Sequence, residues 1–184
     1  MYVVFIGGND VRDGLIGAFT DPSFNPAAFV DSRLAALAVT LNGLSALGAR
    51  DIAVLSLPDL SRLPGLPPPA MPLASFMSAR FNAGFARIVE QLERQRGRSV
   101  LVDVASLFQS VLADAAAGGV QFGITNVTQP CLVMANGIVV TQCANPDGYL
   151  FWDPIHPTGR MHGILADYVI ESLDRRGLMH PDDQ

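Results

Sequence analysis

The chain has 184 residues, of which 49% are hydrophobic and 16% charged, and its formal net charge is −5. This length and composition predict one globular domain with a substantial core. The acidic balance gives no reason to expect nucleic acid or an anionic membrane surface as a partner. We find no apolar run of membrane-spanning length and no basic region ahead of the first apolar run, so neither a transmembrane segment nor a signal peptide is predicted.

The predicted elements alternate between strands and helices. Continuous apolar runs without alternation predict strands buried on both faces at residues 2–6, 52–57 and 99–104. Apolar residues at steps of three and four predict helices at residues 25–48, 74–96, 105–117 and 157–174. Residues 10–24 contain polar and glycine breaks and are predicted to be a loop, in which Asp10 bonds loop amides. Residues 118–148 are predicted to be mostly irregular, apart from a hairpin with its turn at Asn136-Gly137. This order predicts an α/β fold with a parallel sheet, whose ligands bind at the carboxyl ends of the strands.

The loop at residues 58–73 contains six prolines and follows the second strand. Proline fixes its own backbone angle, so this segment is predicted to be stiff. Because it leaves the carboxyl end of a strand, we expect it to form part of the rim of a site.

The segment that contains Asp153 and His156 is the first candidate for chemistry. The two residues are three apart, at the start of the last helix, with Pro157 suited to its first position. An Asp that hydrogen-bonds one ring nitrogen of a His fixes its tautomer and steadies the imidazolium. A surface turn that happens to hold both residues is the alternative.

The turn after the first strand is the second candidate. The strand Val3 to Ile6 ends in Gly7 and Gly8, and Asn9 follows. An Asn amide at the end of a parallel strand can donate to a developing oxyanion. The alternative for Asn9 is a turn residue that bonds the local backbone.

Together, the Gly-Gly-Asn-Asp turn and the Asp-Pro-Ile-His-Pro-Thr loop resemble the SGNH hydrolases, or GDSL lipase/esterase family. Residues 123–128 with Cys131, Phe81-Asn82 at the opening of a helix, and residues 102–104 at a strand end resemble its lipase-like branch. The resemblance implies a three-layer α/β/α flavodoxin-like fold and Ser-His-Asp cleavage of carboxylic or lipid esters without a cofactor. His156 would be the general base, Asp153 its orienting partner and Asn9 an oxyanion-hole donor.

The nucleophile departs from this family pattern. The family's Ser lies in a Gly-Asp-Ser turn, and no such motif occurs in these 184 residues. Ser56 follows a strand but lacks the sharp glycine turn that exposes a nucleophile. We therefore expect residues 1–184 to be a single, incomplete, N-terminally truncated domain. The open alternatives are a hydrolase completed by an unusual Ser or a partner chain, and a remnant that acts as a binding or scaffold module.

Two further expectations depend on the resemblance. In the family fold the nucleophile strand lies beside the Asn strand, so its loss would expose an apolar edge at Val3–Ile6, and we expect a homodimer or another association there. Cys131 and Cys143 flank a predicted hairpin, and could be two free thiols or a disulfide. The lipase-like branch often pairs cysteines here, which would imply a secreted or periplasmic protein.

A metal site is not expected. His162 follows His156 by six residues, whereas ligand pairs on a helix need a spacing of four. His162 is therefore predicted to be a polar helix position near the site.

Overall fold

The structure is a computed structural model that describes residues 1–96 and 98–179. Its strands are β1 Tyr2–Val4, β2 Asp51–Leu55, β3 Arg98–Val102, β4 Asn126–Pro130, β5 Leu132–Ala135, β6 Ile138–Gln142 and β7 Tyr149–Phe151. Its α-helices are α1 Gly8–Thr20, α2 Pro26–Ala46, α3 Met71–Arg96, α4 Val104–Ala116 and α5 Gly159–Arg175. Short 3-10 turns lie at Leu60–Arg62, Pro68–Ala70 and Pro146–Gly148.

The central sheet is parallel, in the order β1-β2-β3. Successive side chains of a strand point to opposite faces, and on β2 both faces are buried. Ile52 and Val54 pack in one core cluster with α1, α2 and α3. Ala53 and Leu55 pack in a second cluster with α4, α5 and β7. The predicted α/β fold with a parallel sheet between two helical layers is therefore confirmed.

Residues 118–148 are more ordered than the sequence predicted. β4 pairs in parallel with β7, and β5 pairs with β6 in an antiparallel hairpin. The predicted turn at Asn136-Gly137 is present, and both residues have the positive φ that this turn requires.

The prediction of a loop at residues 10–24 is wrong, because α1 occupies most of this segment. Val11 and Leu15 pack into the first core cluster. Gly14, which suggested a break, lies against the Met77 side chain, where a Cβ would collide with the methionine sulfur and methyl. The glycine allows α1 to approach α3 closely, so tertiary packing outweighs its low helix propensity.

The expectation that residues 2–6 form a strand buried on both faces is also wrong. β1 ends at Val4, and about half of each side chain is exposed at Tyr2, Val3, Phe5 and Ile6. In the described residues, no strand pairs with β1 on the side away from β2. The first core cluster covers one face of β1 only partly, through the half-buried Val4.

Two smaller sequence expectations need correction. Phe81 and Asn82 lie inside α3 rather than at its opening. The 21-residue α2 has a window of mean hydropathy 1.2 and is long and apolar enough to cross a membrane, although no such run was predicted. Length and composition alone are weak evidence for a span, since α2 also lays Val30, Leu34 and Leu41 into the first core cluster.

Asn82 fixes the chain where β2 ends. Its amide oxygen accepts the Leu57 N–H at 2.7 Å, and its amide nitrogen donates to the Leu57 carbonyl at 2.8 Å. Leu57 is 2% exposed, so water cannot replace these bonds. A helix side chain therefore satisfies both backbone groups of one residue at the carboxyl edge of the sheet.

We predict that Asn82→Ala lowers the free energy of unfolding by about 2–4 kcal/mol, because it leaves two buried backbone groups unpaired. Asn42→Ala is the matched control, since the Asn42 amide bonds only to Ala38 within its own helix. The control should change stability by less than about 0.5 kcal/mol. Urea denaturation measures both variants, and equal losses would contradict the role given to Asn82.

Candidate active site

The carboxyl ends of β1, β2 and β3 lie at one edge of the sheet, because the three strands are parallel. β1 leads through Gly7 into α1. Gly7 is buried with φ 107°, and a Cβ there would lie 3.1 Å from Leu57 Cδ1. Glycine is therefore required at Gly7 both by its conformation and by its contact with the end of β2.

Asn9 lies in the first turn of α1 at this edge, and its side chain is exposed. Its amide forms no hydrogen bond with the residues that the structure describes, so it is not bonding the local turn. Asp10 instead forms an ion pair with Arg33 at 3.4 Å, rather than binding loop amides as expected.

Asp153 and His156 are in direct contact. The His156 Nδ1 lies 2.7 Å from Asp153 Oδ2. The other carboxylate oxygen, Oδ1, accepts the backbone N–H groups of Ile155 at 2.8 Å and His156 at 2.7 Å. Because an ionised carboxylate only accepts, Nδ1 carries the proton, and Nε2 is left free on a side chain that is 66% exposed.

The charge of Asp153 follows from these contacts. Partial burial raises the pKa of this carboxyl, but the hydrogen bonds from the His156 ring and from two backbone amides lower it more. The net pKa lies below the usual value of 3.8. Asp153 is therefore an anion at neutral pH, as an orienting partner for an imidazolium must be.

The segment 152–158, here called the Asp-His loop, is held by hydrogen bonds from the residues at its two ends. The Trp152 N–H donates to the His156 carbonyl at 2.8 Å. Thr158 is fully buried, and its hydroxyl donates to the Tyr149 carbonyl at 2.7 Å while capping α5. α5 therefore begins at Gly159 with Thr158 as its N-cap, rather than at Pro157 as predicted. Trp152 is partly buried and outside both core clusters, and its backbone N–H closes the loop.

A disulfide-closed hairpin, residues 131–143, holds the Asp-His loop from one side. Cys131 and Cys143 are bonded, as the family resemblance implied. The Cys131 N–H donates to the Phe151 carbonyl, and the Leu132 N–H donates to the Trp152 carbonyl at 2.7 Å. This hairpin is apolar and projects into solvent, with more than half of each side chain exposed at Met134, Ile138, Val139 and Val140.

The proline loop, now defined as residues 58–70, holds the Asp-His loop from another side. The Gly65 N–H donates to the Pro154 carbonyl at 2.9 Å. The sequence predicted that the proline loop forms a rim, but neither Gly65 nor Thr158 was singled out. No feature of the sequence around Gly65 predicts its contact with the Asp-His loop. Thr158 could have been predicted, because a Thr just before a helix is a common N-cap.

Ser56 is not an available nucleophile. Its side chain is 2% exposed. Its hydroxyl donates to Asp103 at 3.3 Å and accepts the Ala105 N–H at 3.0 Å, at the start of α4. Ser56 therefore joins β2 to the end of β3.

Asp153 and His156 are thus brought together, whereas Asn9, at the carboxyl end of β1, forms no hydrogen bond with either of them in the described residues. An open cavity of about 440 Å³ lies elsewhere, between α4 and α5, and contains none of the three. His162 is exposed on α5. Within residues 1–96 and 98–179, no group of three His, Cys, Asp or Glu side chains is placed to hold a metal ion.

The structure is a three-layer α/β fold that brings an Asp and a His into direct contact on the loop before its last helix. The chain belongs to the GDSL-like Lipase/Acylhydrolase family, whose model matches residues 1–169.

Similar proteins come from plants and bacteria. The chain is 26% identical over 199 residues to GDSL esterase/lipase At1g74460 of Arabidopsis thaliana, covering 99% of the chain and 52% of the relative. It is 28% identical to GDSL esterase/lipase At1g71250 of the same plant, covering 90% of the chain and 48% of the relative. An uncharacterized protein of the trpE-trpG intergenic region of Pseudomonas putida is 31% identical, covering 94% and 28% respectively. The chain spans about half the length of the plant relatives.

The lowered pKa of Asp153 predicts a pH-dependent effect of Asp153→Asn. The stabilising contribution of the carboxylate is fully present above the unfolded pKa, about 3.8, and is lost as pH falls through the lower folded pKa. The substitution should therefore destabilise the protein by about 1–3 kcal/mol at pH 6, and by progressively less below pH 3.8. Urea denaturation across this range measures the difference.

Asp167→Asn is the control, because Asp167 is exposed on α5 and bonds no described residue through its side chain. Its difference from wild type should stay within about 0.5 kcal/mol at every pH. A loss for Asp153→Asn that stays constant down to pH 2 would contradict the assignment.

Proposed function

We propose that this chain supplies the general base, its orienting carboxylate and an oxyanion-hole donor of a GDSL-type ester hydrolase. The observation that supports this most strongly is the 2.7 Å contact between His156 Nδ1 and Asp153 Oδ2. In the neutral imidazole, that contact leaves Nε2 unprotonated and exposed, which is the state a general base needs. Family membership supports ester hydrolysis as the reaction class.

Each residue has a separate role in the proposed acyl transfer. His156 Nε2 takes the proton of a Ser hydroxyl as the hydroxyl attacks the ester carbonyl, and returns it to the leaving alcohol. Asp153 stabilises the imidazolium formed in between. The unbonded Asn9 amide donates to the oxyanion, a role in which one donor is worth about 10²–10³ in kcat. Water then hydrolyses the acyl-enzyme by the same base.

The nucleophile of this proposal comes from polypeptide outside these 184 residues. No Gly-Asp-Ser motif occurs in the sequence, and Ser56 is buried in structural hydrogen bonds. An upstream segment or a partner chain would complete the site. A binding or scaffold module is the second candidate, and the observation that favours it is the same absence of the motif.

The surroundings of the Asp-His loop support an uncharged ester as substrate. Residues 115–146 contain no charged residue and no histidine. The hairpin within this stretch bonds the loop through Cys131 and Leu132 and exposes four large apolar side chains. We infer carboxylic esters with apolar acyl groups, including lipid esters. The Cys131–Cys143 disulfide supports a secreted or periplasmic site of action.

Fluorophosphonate labelling tests the proposed function. The complete open reading frame that contains these residues is expressed, and labelled peptides are mapped by mass spectrometry. We predict one Ser adduct, outside the 184 residues, and hydrolysis of p-nitrophenyl butyrate. His156→Ala should abolish the adduct and lower kcat/KM by about 10⁴-fold or more, because the base is lost.

His162→Ala is the matched control, since His162 is an exposed histidine on the neighbouring helix, and it should retain labelling and turnover. An adduct on a Ser within the 184 residues would disprove the external nucleophile. Turnover that survives His156→Ala would disprove the role of the base. A protein with neither adduct nor hydrolysis would support the scaffold reading instead.

We also propose that the 184-residue chain associates as a homodimer through the edge of β1. The outer side of β1 is unpaired in the described residues, and Val3 of this strand and the following Phe5 and Ile6 are about half exposed. An unpaired apolar strand edge offers backbone donors and acceptors to a second strand. Pairing of two such edges would satisfy those groups and cover the apolar side chains.

Size-exclusion chromatography with light scattering should therefore report a dimer at micromolar concentration. Val3→Lys should weaken the dimer at least about tenfold, because it places a charge in the paired edge. Val39→Lys is the control, since Val39 is 74% exposed on α2, and it should leave the dimer intact. A monodisperse monomer of the wild-type chain would rule out this association.

A further inference from the structure

The peptide group between Pro154 and Ile155 is held at both ends. Its carbonyl oxygen accepts the Gly65 N–H at 2.9 Å. Its N–H donates to Asp153 Oδ1 at 2.8 Å. Asp153 Oδ2 in turn holds His156 Nδ1. A continuous hydrogen-bonded line therefore runs from the proline loop, through one peptide plane and one carboxylate, to the imidazole.

We propose that Gly65 is a positioning residue for His156, acting through the Pro154–Ile155 peptide. The inference rests on the proposed function of His156 as a base. By fixing the tilt of this peptide, Gly65 keeps the Ile155 N–H directed at Asp153, which keeps the carboxylate directed at Nδ1. Hydrogen bonds in series polarise one another, so each strengthens the next.

Close contact makes glycine the residue required at position 65. A Cβ on Gly65 would lie 2.7 Å from Pro154 Cβ and 3.1 Å from the Pro154 carbonyl oxygen. Gly65 is not among the residues with positive φ, so an alanine there can adopt the backbone conformation. The cost of Gly65→Ala therefore arises from its contact with Pro154, which must move.

The proline loop can act as a support because it is itself fixed. The Asp59 carboxylate accepts the Ser61 N–H and the Ser75 hydroxyl, and the Leu60 N–H donates to the buried Ser78 hydroxyl of α3. On either side of Gly65, Leu63 packs against the second core cluster and Leu66 against the first. Movement forced by a new Cβ is thus directed into the more exposed Asp-His loop.

Hydrogen exchange of the Ile155 and His156 amides tests the proposal in the 184-residue chain. Both amides donate to Asp153 Oδ1. In Gly65→Ala we expect both to exchange at least about tenfold faster, because the turn opens locally. Amides of the buried face of α2 should exchange at the wild-type rate, and the urea midpoint should hardly change.

Two further variants separate positioning from a general loss of stability. Gly148→Ala is the control, since a Cβ at Gly148 would meet its nearest atom at an ordinary 3.5 Å, and it should leave both amides unchanged. Pro154→Gly removes the Cβ that the new side chain strikes. Adding Gly65→Ala to Pro154→Gly should then change the exchange rates of the Ile155 and His156 amides by less than about threefold. If the two substitutions acted independently, Gly65→Ala would have its full effect in both backgrounds.

The proposal is overturned if the two amides exchange at the wild-type rate in Gly65→Ala, or if Gly148→Ala accelerates them equally. It is also overturned if Gly65→Ala has the same effect on the two amides with and without Pro154→Gly. Should Gly65→Ala not fold, the scalar coupling across the hydrogen bond from Gly65 N to Pro154 C′ in the wild-type chain decides: its absence overturns the proposal. These readouts need no turnover, so they stand apart from the labelling test of His156. In the complete protein, Gly65→Ala should lower kcat with little change in KM.

Discussion

The Asp153 carboxylate accepts three hydrogen bonds from within a four-residue segment, and the candidate site depends on them. Two come from the backbone of Ile155 and His156, and one comes from the His156 ring. The backbone bonds fix the turn and aim the second oxygen at the ring. Partial burial raises the pKa of Asp153, but the hydrogen bond from the His156 ring and the two backbone bonds together hold it below its usual value. One side chain thereby sets both the geometry of the loop and the ring nitrogen that carries the proton in the neutral histidine.

Such a small turn keeps its geometry only if its surroundings are rigid. Thr158 anchors its end in the buried start of α5, the disulfide-closed hairpin bonds Trp152, and Gly65 bonds Pro154. Each support belongs to a different element, and each bonds a backbone group of the loop or its flank. The ring itself remains exposed. This combination, a fixed backbone and an accessible Nε2, suits a base that must meet a substrate and a nucleophile from outside the loop.

The sequence predicted the parallel α/β fold, the family and the Asp-His pairing, because each leaves a local signature. Continuous apolar runs marked β2 and β3, and the spacing of three between Asp153 and His156 allowed their contact. α1 was missed because Gly14 suggested a break, whereas its packing against Met77 needs a residue without a side chain. The apolar run at residues 2–6 alone overestimated the burial of β1, whereas the missing Gly-Asp-Ser segment correctly indicated an exposed edge there. Gly65 could not be found, because its role depends on a contact between residues 89 positions apart.

We propose above all that Asp153 holds His156 with its proton on Nδ1, so that Nε2 can act as a base. Nitrogen-15 NMR of the ring in the wild-type chain, at a pH where the imidazole is neutral, measures this directly. The account predicts a protonated Nδ1 with a chemical shift typical of N–H and an unprotonated Nε2, although free histidine favours the opposite tautomer. Asp153→Ala should restore the free-histidine pattern. A wild-type ring protonated on Nε2 would contradict the account, because the nitrogen that faces outward could not then accept a proton.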